Sequence, residues 1–331
     1  MKDSSICYSV GALLYCPANN AAIGNSIVQE RFGTKYSLAL CLEDTIRDDC
    51  VEDAEQQLIT SLQTVYKERE NKEFYIPKIF VRVRQPEQMA SLCRRLGDSC
   101  GLLTGFIAPK FDLENADSYI KTIVDLNRHA SEKRYLMPIL ESPTIIRLTD
   151  RNRILYALKE KLDAAAPYIL NIRVGGNDLC HMFGFRRHDT ESIHDIRPIA
   201  DIFSHIITVF GMDYVVSGPV WEYYRGENWE TGLIHELEQD RLCGFTGKTV
   251  IHPNQISAVN AAYQVTASDY ADASAILTWD SSSANLVSGN PSGQRMNEYK
   301  THYNWAKTVL FLAGYYGIKE ANPPMPRPVK G

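Results

Sequence analysis

Two carboxylates in this 331-residue chain stand where an apolar run stops. Glu141 follows "MPIL" in "MPILESP", and Asp178 follows "YILNIRV" and two glycines in "RVGGNDL". Both runs read as buried strands, they are consecutive, and neither acid has a basic neighbour in sequence. Carboxylates ending adjacent strands repel unless a cation or a proton lies between them. A hard divalent ion answers this, and Mg²⁺ suits the pair because it often takes one or two protein carboxylates and leaves its other positions to water and substrate. The spacing equally permits each acid to cap the helix that follows, "ESPTIIRL" and "NDLCHMF". Both readings stand at this level.

Arg82 lies inside "FVRVR", where positions 80, 82 and 84 share one face of a strand. An arginine there either points into the mouth of the fold or pairs with an acid from a neighbouring strand, and Glu43 of "LCLEDTIRDD" is the nearest candidate. Held by Glu43, it could still present free N–H groups to an anion. Other run-ending polar residues are Asn19 and Asn20, Asp44, Arg84, Lys110, Asn177, Ser217 and His252. His252 reads as a structural hydrogen-bonder. His181, His188 and His194 lack zinc-ligand spacing. The Arg186–Arg187 pair reads as a solvated loop in preference to an anion contact, and Cys16 and Cys180 show no paired base that would make a thiol nucleophile.

Positioning such groups requires a scaffold. Eight short apolar runs, "GALLYC", "SLALCL", "KIFVRV", "LLTGFIAP", "YLMPIL", "YILNIRV", "DYVVSG" and "KTVIHP", alternate with segments of helical pattern such as "DDCVEDAEQQLITSLQTVYKERE". Continuous apolar runs suit strands covered on both faces, as in a parallel sheet with crossover helices. Eight in βα order predict an α/β fold, a (β/α)₈ TIM barrel over residues 1–265, with its active site where the carboxyl ends of the strands converge. A doubly wound open sheet is the rival, weakened by the lack of a G-x-G-x-x-G turn after the first strand. Residues 266–318 read as a C-terminal helical extension, helix, Ser/Gly/Asn-rich loop, helix, and as an oligomer contact. Residues 319–331 form a Pro-rich tail.

Composition narrows the function classes. An apolar fraction of 44%, a charged fraction of 23% and a net charge of −5 describe an ordinary globular chain, with no basic face for nucleic acid. No run of 18 apolar residues suggests a membrane span, and the N-terminus lacks the basic region and unbroken apolar core of a signal peptide. Eight scattered cysteines without a C-x-x-C pair read as reduced thiols of a cytoplasmic protein.

The ordered motifs "LLYCPANN", "LCLEDTIRDD", "FVRVRQP", "GFIAPKFD", "MPILESP", "VGGNDL" and "GFTGKTVIHPNQISAVNAAY" resemble the citrate lyase β-subunit-like branch of the HpcH/HpaI aldolases, the TIM-barrel carbon–carbon bond lyases. The resemblance runs from about residue 11 to residue 265. It implies metal ligands at Glu141 and Asp178 with Mg²⁺ as cofactor, a substrate-binding and catalytic arginine at Arg82, and catalytic acids at Glu43 and Asp44. Arg84, Lys110, Gly175, Gly176 and Asn177 join the expected substrate-binding set, the two glycines turning the backbone tightly so that Asp178 reaches the ion. Arg84 departs from the family's V-R-V-N pattern and adds a cation near the mouth. In the family's acyl-CoA lyases a C-terminal acid reaches a neighbouring subunit's site, and "GQRMNEYKTH" puts Glu298 in that place.

The resemblance further implies a homo-oligomer, trimer or hexamer, and a small carboxylate substrate, as free acid or CoA thioester. Retro-aldol cleavage leaves an electron pair that must be held as an enolate. Mg²⁺ and Arg82 would stabilise the developing oxyanion, and a carboxylate or metal-bound hydroxide would take the hydroxyl proton. The same site serves condensation. A different class, a non-catalytic relative that binds a carboxylate or phosphate ligand as a subunit of a larger assembly, remains the alternative.

Overall fold

The computed structural model describes residues 4–319 apart from 129, 281 and 291; all but the first residue of the Pro-rich tail lies outside that range. Each of the eight apolar runs is a strand: β1 Ala12–Pro17, β2 Ser37–Cys41, β3 Lys78–Arg82, β4 Leu103–Ala108, β5 Tyr135–Leu140, β6 Ile172–Val174, β7 Val216–Ser217 and β8 Lys248–Val250. They pair in parallel in chain order, and β8 pairs with β1. Between β7 and β8 the ring closes through a single bridge, Gly218 to Lys248. This is the TIM barrel, and the open-sheet rival falls because no edge strand is left.

The runs lack polar alternation because both strand faces are buried. Leu13, Ala39, Phe80, Ile107, Met137 and Ile139 pack together inside the ring. Their neighbours Leu14, Leu38, Val81, Phe106, Leu136 and Ile172 face the helices in a separate, larger core. The helix Val51–Glu68 shows the matching pattern from the other side: Ala54, Leu58, Leu62 and Val65 form one buried stripe at spacings of three and four. Each leucine or valine of that stripe, fully withdrawn from water, contributes ~1.5–3 kcal/mol.

Several strands are shorter than their runs, β6, β7 and β8 most of all. In "YILNIRV" the Ala166–Tyr168 3₁₀ turn around Pro167 takes Tyr168, Ile169 makes a single bridge to Leu136, and the continuous strand is Ile172–Val174. The extension also holds more than helix, loop and helix. Between Ala267–Leu277 and Tyr299–Tyr316 its polar loop pairs Val287–Gly289 with Met296–Glu298 as a hairpin. Asn290 and Arg295 tie that hairpin to Asp272. The last helix lies against the amino ends of the strands: Tyr315 sits against Gly11, and the Lys78 ammonium lies over its ring at 5.5 Å. The bottom of the barrel is thereby covered, and the opposite end is free for chemistry.

Candidate active site

At the carboxyl ends of the strands lies a cavity of about 310 Å³, whose wall includes Asp44, Arg82, Glu141, Gly175, Asn177 and Asp178. Arg82, the last residue of β3, points inward as its parity with Phe80 requires. Its Nη2 reaches Glu43 Oε2 at 2.7 Å, Asp44 Oδ2 at 3.0 Å and Glu141 Oε1 at 3.3 Å. Burial opposes this charge, but Tyr15, Glu141 and Glu43 around it hold the guanidinium above its ordinary pKa. Its Nε has no partner.

Lys110 supports the same acids from the rim. Its Nζ lies 2.6 Å from Glu43 Oε1 and 3.0 Å from Asp44 Oδ1, and its backbone N–H donates to Glu141 Oε1 at 3.0 Å. Burial raises the pKa of Glu43 against the pull of Arg82 and Lys110. Asp44 is held below the usual carboxylate range: burial works against that, but contacts with Glu43, Lys110 and Arg82 outweigh it. Of the two, Asp44 lines the cavity, and Glu43 holds the cations in place.

Glu141 is 2% exposed, and its pKa is raised to about 8, mainly by burial. Arg82 opposes the rise; Asp178, within hydrogen-bonding reach, adds to it. Neither acid caps a helix. The short turn after Glu141 is capped by Ser142, and Asp178 is the third residue of the helix Gly176–Phe183, whose N-cap is Gly175. Gly175 is the single residue between β6 and the helix Gly176–Phe183, so the backbone turns as tightly as expected, and neither glycine needs a positive φ to do so. They are needed for room: a Cβ on Gly175 would overlap the Glu141 carboxyl, and one on Gly176 would strike Ile193 and Pro219.

Two other expectations are corrected. Arg84 does not face the cavity. Its Nε donates to Leu42 O (2.7 Å), Nη1 to Asp48 (2.6 Å), and Nη2 to the carbonyls of Glu43 (3.3 Å) and Ile46, so it braces the 42–48 loop. Arg187 is not solvated. Its side chain is 1% exposed, pairs with Glu236 at 3.0 Å and lies over Trp221, while Arg186 stays open. Glu236 and Asp240 in turn hold the buried Lys248 at 2.8 and 2.6 Å. Glu298 ends the hairpin and is not part of the cavity wall; its backbone N–H donates to His302. His252 stacks on Tyr224 with ring centroids 4.7 Å apart.

Four polar groups of the cavity were not singled out from the sequence: Tyr15 of β1, Thr45 just after β2, Arg173 of β6 and Thr249 of β8. The signal was present, because an arginine inside the apolar run "NIRV" with the parity of Asn171 has to face the barrel interior. Burial pushes the Tyr15 hydroxyl up to about 12, with Arg82 and Arg173 pulling the other way. Among the described residues no third His, Cys, Asp or Glu joins Glu141 and Asp178 in a metal-binding group, all eight cysteines are free, and no helix is long and apolar enough to cross a membrane.

Comparison with known proteins places this geometry in context. The family model described as "C-C_Bond_Lyase of the TIM-Barrel fold" matches residues 4–318. No curated protein matches the chain. Among solved structures, protein CitE from Mycobacterium tuberculosis in complex with magnesium, acetoacetate and coenzyme A superposes with a TM-score of 0.59 at 19% identity, over 93% of this chain and 99% of that one. The citrate lyase β subunit from M. tuberculosis complexed with oxaloacetate and magnesium gives 0.52 at 18%, over 78% and 99%. RipC from Yersinia pestis gives 0.53 at 18%, over 79% and 98%. At such identities the likeness is one of fold.

Proposed function

The chain belongs to the C–C bond lyases of the TIM-barrel fold, and on that basis we propose a Mg²⁺-dependent lyase or aldolase that breaks or forms a bond in a small hydroxycarboxylate or its CoA thioester. Glu141 and Asp178 carry this reading: two carboxylates within hydrogen-bonding reach of each other, in one cavity, beside a buried arginine. The donor set fits a hard divalent ion, because it is all carboxylate oxygen and too small to fill a coordination sphere, which leaves positions for water and substrate. A Mg²⁺ held there would supply Lewis-acid polarisation of substrate oxygens. The magnesium named with the CitE and citrate lyase β structures agrees with that choice.

The chain's own residues divide the remaining work. Arg82 presents fixed positive charge to the oxygen on which the enolate develops; such preorganised donors are worth ~3–4 kcal/mol each. Asp44, kept ionised by Lys110 and Arg82 and open to the cavity, accepts the substrate hydroxyl proton. Glu43 and Lys110 keep both groups in register, and the first residues of the helix beginning at Gly176 line the same cavity. Association into a trimer or hexamer through the extension belongs to the same reading and is measurable by light scattering. The test of the metal reading is calorimetric: Glu141→Ala removes half the ligand set and abolishes Mg²⁺ binding. Wild-type Mg²⁺ affinity in that variant would end the proposal.

A further inference from the structure

Arg173 is the cavity's unexplained cation. It lies in β6 opposite Ile139 of β5 and Ser217 of β7, below Glu141 and Gly175, so it forms part of the cavity floor. It is 1% exposed, yet among the described residues no carboxylate pairs with it. Its Nη2 donates to Thr249 Oγ1 at 2.7 Å, Tyr15 is within hydrogen-bonding reach, and Nη1 has no partner. The other buried arginines follow the opposite rule: Arg82 meets Glu43, Arg151 meets Asp201, and Arg187 meets Glu236. A buried, unpaired guanidinium is costly and is retained where something else supplies the missing anion.

We infer that Arg173, with Tyr15 and Thr249, is a subsite for a second carboxylate of the substrate, so that the enzyme acts on a diacid. The inference rests on the proposed lyase reading. One carboxylate, with its neighbouring oxygen, is held at the Glu141–Asp178 end; the other reaches the floor and pairs with Arg173. The chemistry of the floor sets the charge of the group. One guanidinium flanked by two neutral hydroxyls suits a single negative charge, as on a carboxylate, better than a doubly charged phosphate. The planar fork of the guanidinium also matches carboxylate geometry, which a lysine would not do. Arg173 would then select between substrates that share the same hydroxy-acid head.

Calorimetry on the Mg²⁺-loaded full chain tests this with three probes: lactate, which has the head alone, and malate and 2-hydroxyglutarate, which add a carboxylate at two different reaches. At least one diacid should bind ~30-fold or more tighter than lactate, the range expected for a buried charge pair. In Arg173→Met, of similar volume and no charge, that preference should vanish while Mg²⁺ and lactate affinities stay at the wild-type level. Arg173→Lys should retain part of it. Equal Mg²⁺-dependent binding of all three probes to the wild-type chain would overturn the diacid subsite alone, as would an undiminished preference in Arg173→Met. If no probe binds in a Mg²⁺-dependent way, the lyase reading and the subsite fall together. The wild-type comparison decides the matter even if Arg173→Met does not fold.

Discussion

Replacing Gly175 by alanine changes no proposed ligand, yet it should disable the metal site. A Cβ built on Gly175 meets Glu141 at Oε2, Cβ and Cδ, the last at 2.8 Å. Were only the carboxylate oxygen in the way, a rotation of the side chain would suffice. Because Glu141 Cβ is also overlapped, the backbone at 175 or at 141 has to move, by about an ångström to reach an ordinary contact of ~3.5 Å. Overpacking of this kind costs ~1–3 kcal/mol of stability. Mg²⁺ tolerates little deviation from octahedral geometry at ~2.0–2.1 Å, so displacing Glu141 should weaken its binding by ~10–100-fold, as loss of a supporting contact around a metal commonly does. Titration calorimetry with Mg²⁺, alongside thermal melts, reads both effects. Gly101→Ala, where a Cβ meets nothing within 4 Å, is the control. Wild-type Mg²⁺ affinity in Gly175→Ala, with a lowered melting temperature, would mean that Glu141 is displaced without consequence and is no ligand.

Protonation gives a second handle. The metal-free Glu141 carboxyl has its pKa raised to about 8, so between the unfolded value of ~4.3 and 8 the native state binds the extra proton and stability falls as pH rises. Melting temperature without metal should decline from about pH 5 toward pH 8, and Mg²⁺ should restore more of it at pH 8 than at pH 6; a metal-induced shift that shrinks with pH would contradict this. Arg84→Met should lower stability by leaving the carbonyls of Leu42, Glu43 and Ile46 without their donor, at ~1–3 kcal/mol each when buried, and should leave lactate affinity unchanged in calorimetry. Weaker lactate binding with an unchanged melt would instead make Arg84 a direct anion contact. Lys248→Met takes from the buried Glu236 and Asp240 the cation they share, leaving them only Arg187 and His194, and should cost up to ~3–5 kcal/mol in urea unfolding; a loss below ~1 kcal/mol would mean that the cluster is not held as described.

The barrel was legible because its strands are covered on both sides, so that each is a run of apolar residues rather than an alternation. That signal locates a strand without fixing its length. "YILNIRV" gives Tyr168 to the turn at Pro167 and makes only a single bridge before Ile172, and "DYVVSG" contributes Val216 and Ser217 as a strand and Gly218 as a bridge. The hairpin at Val287–Gly289 and Met296–Glu298 gave no such signal, being short, polar and held by Asn290 and Arg295 rather than by apolar packing. Arg187 was misread for a related reason. Its partner Glu236 lies 49 residues away, and proximity to Arg186 and His188 in a polar string says nothing of a carboxylate waiting on another helix.

At the site the same rule, alternation along a strand, succeeded for one arginine, failed for a second and was left unused for a third. Arg82 is the last residue of β3 and still pairs with Cys41 and Ile107, so its parity with Phe80 holds and it enters the barrel. Arg84 shares that parity on paper, but the chain has left the ladder by then: Gln88 bonds its backbone N–H, a helix begins at Pro86, and the guanidinium turns to the 42–48 loop. Arg173 sits within β6 between two ladder partners, where alternation is strictly imposed, and so is forced inward among apolar neighbours. A charged residue in the ladder thus has its direction fixed by the backbone and needs a partner brought to it. One just past the ladder can go and find its own. By that criterion Arg173 is the residue whose charge calls for a ligand, and Arg84 is the one that does not.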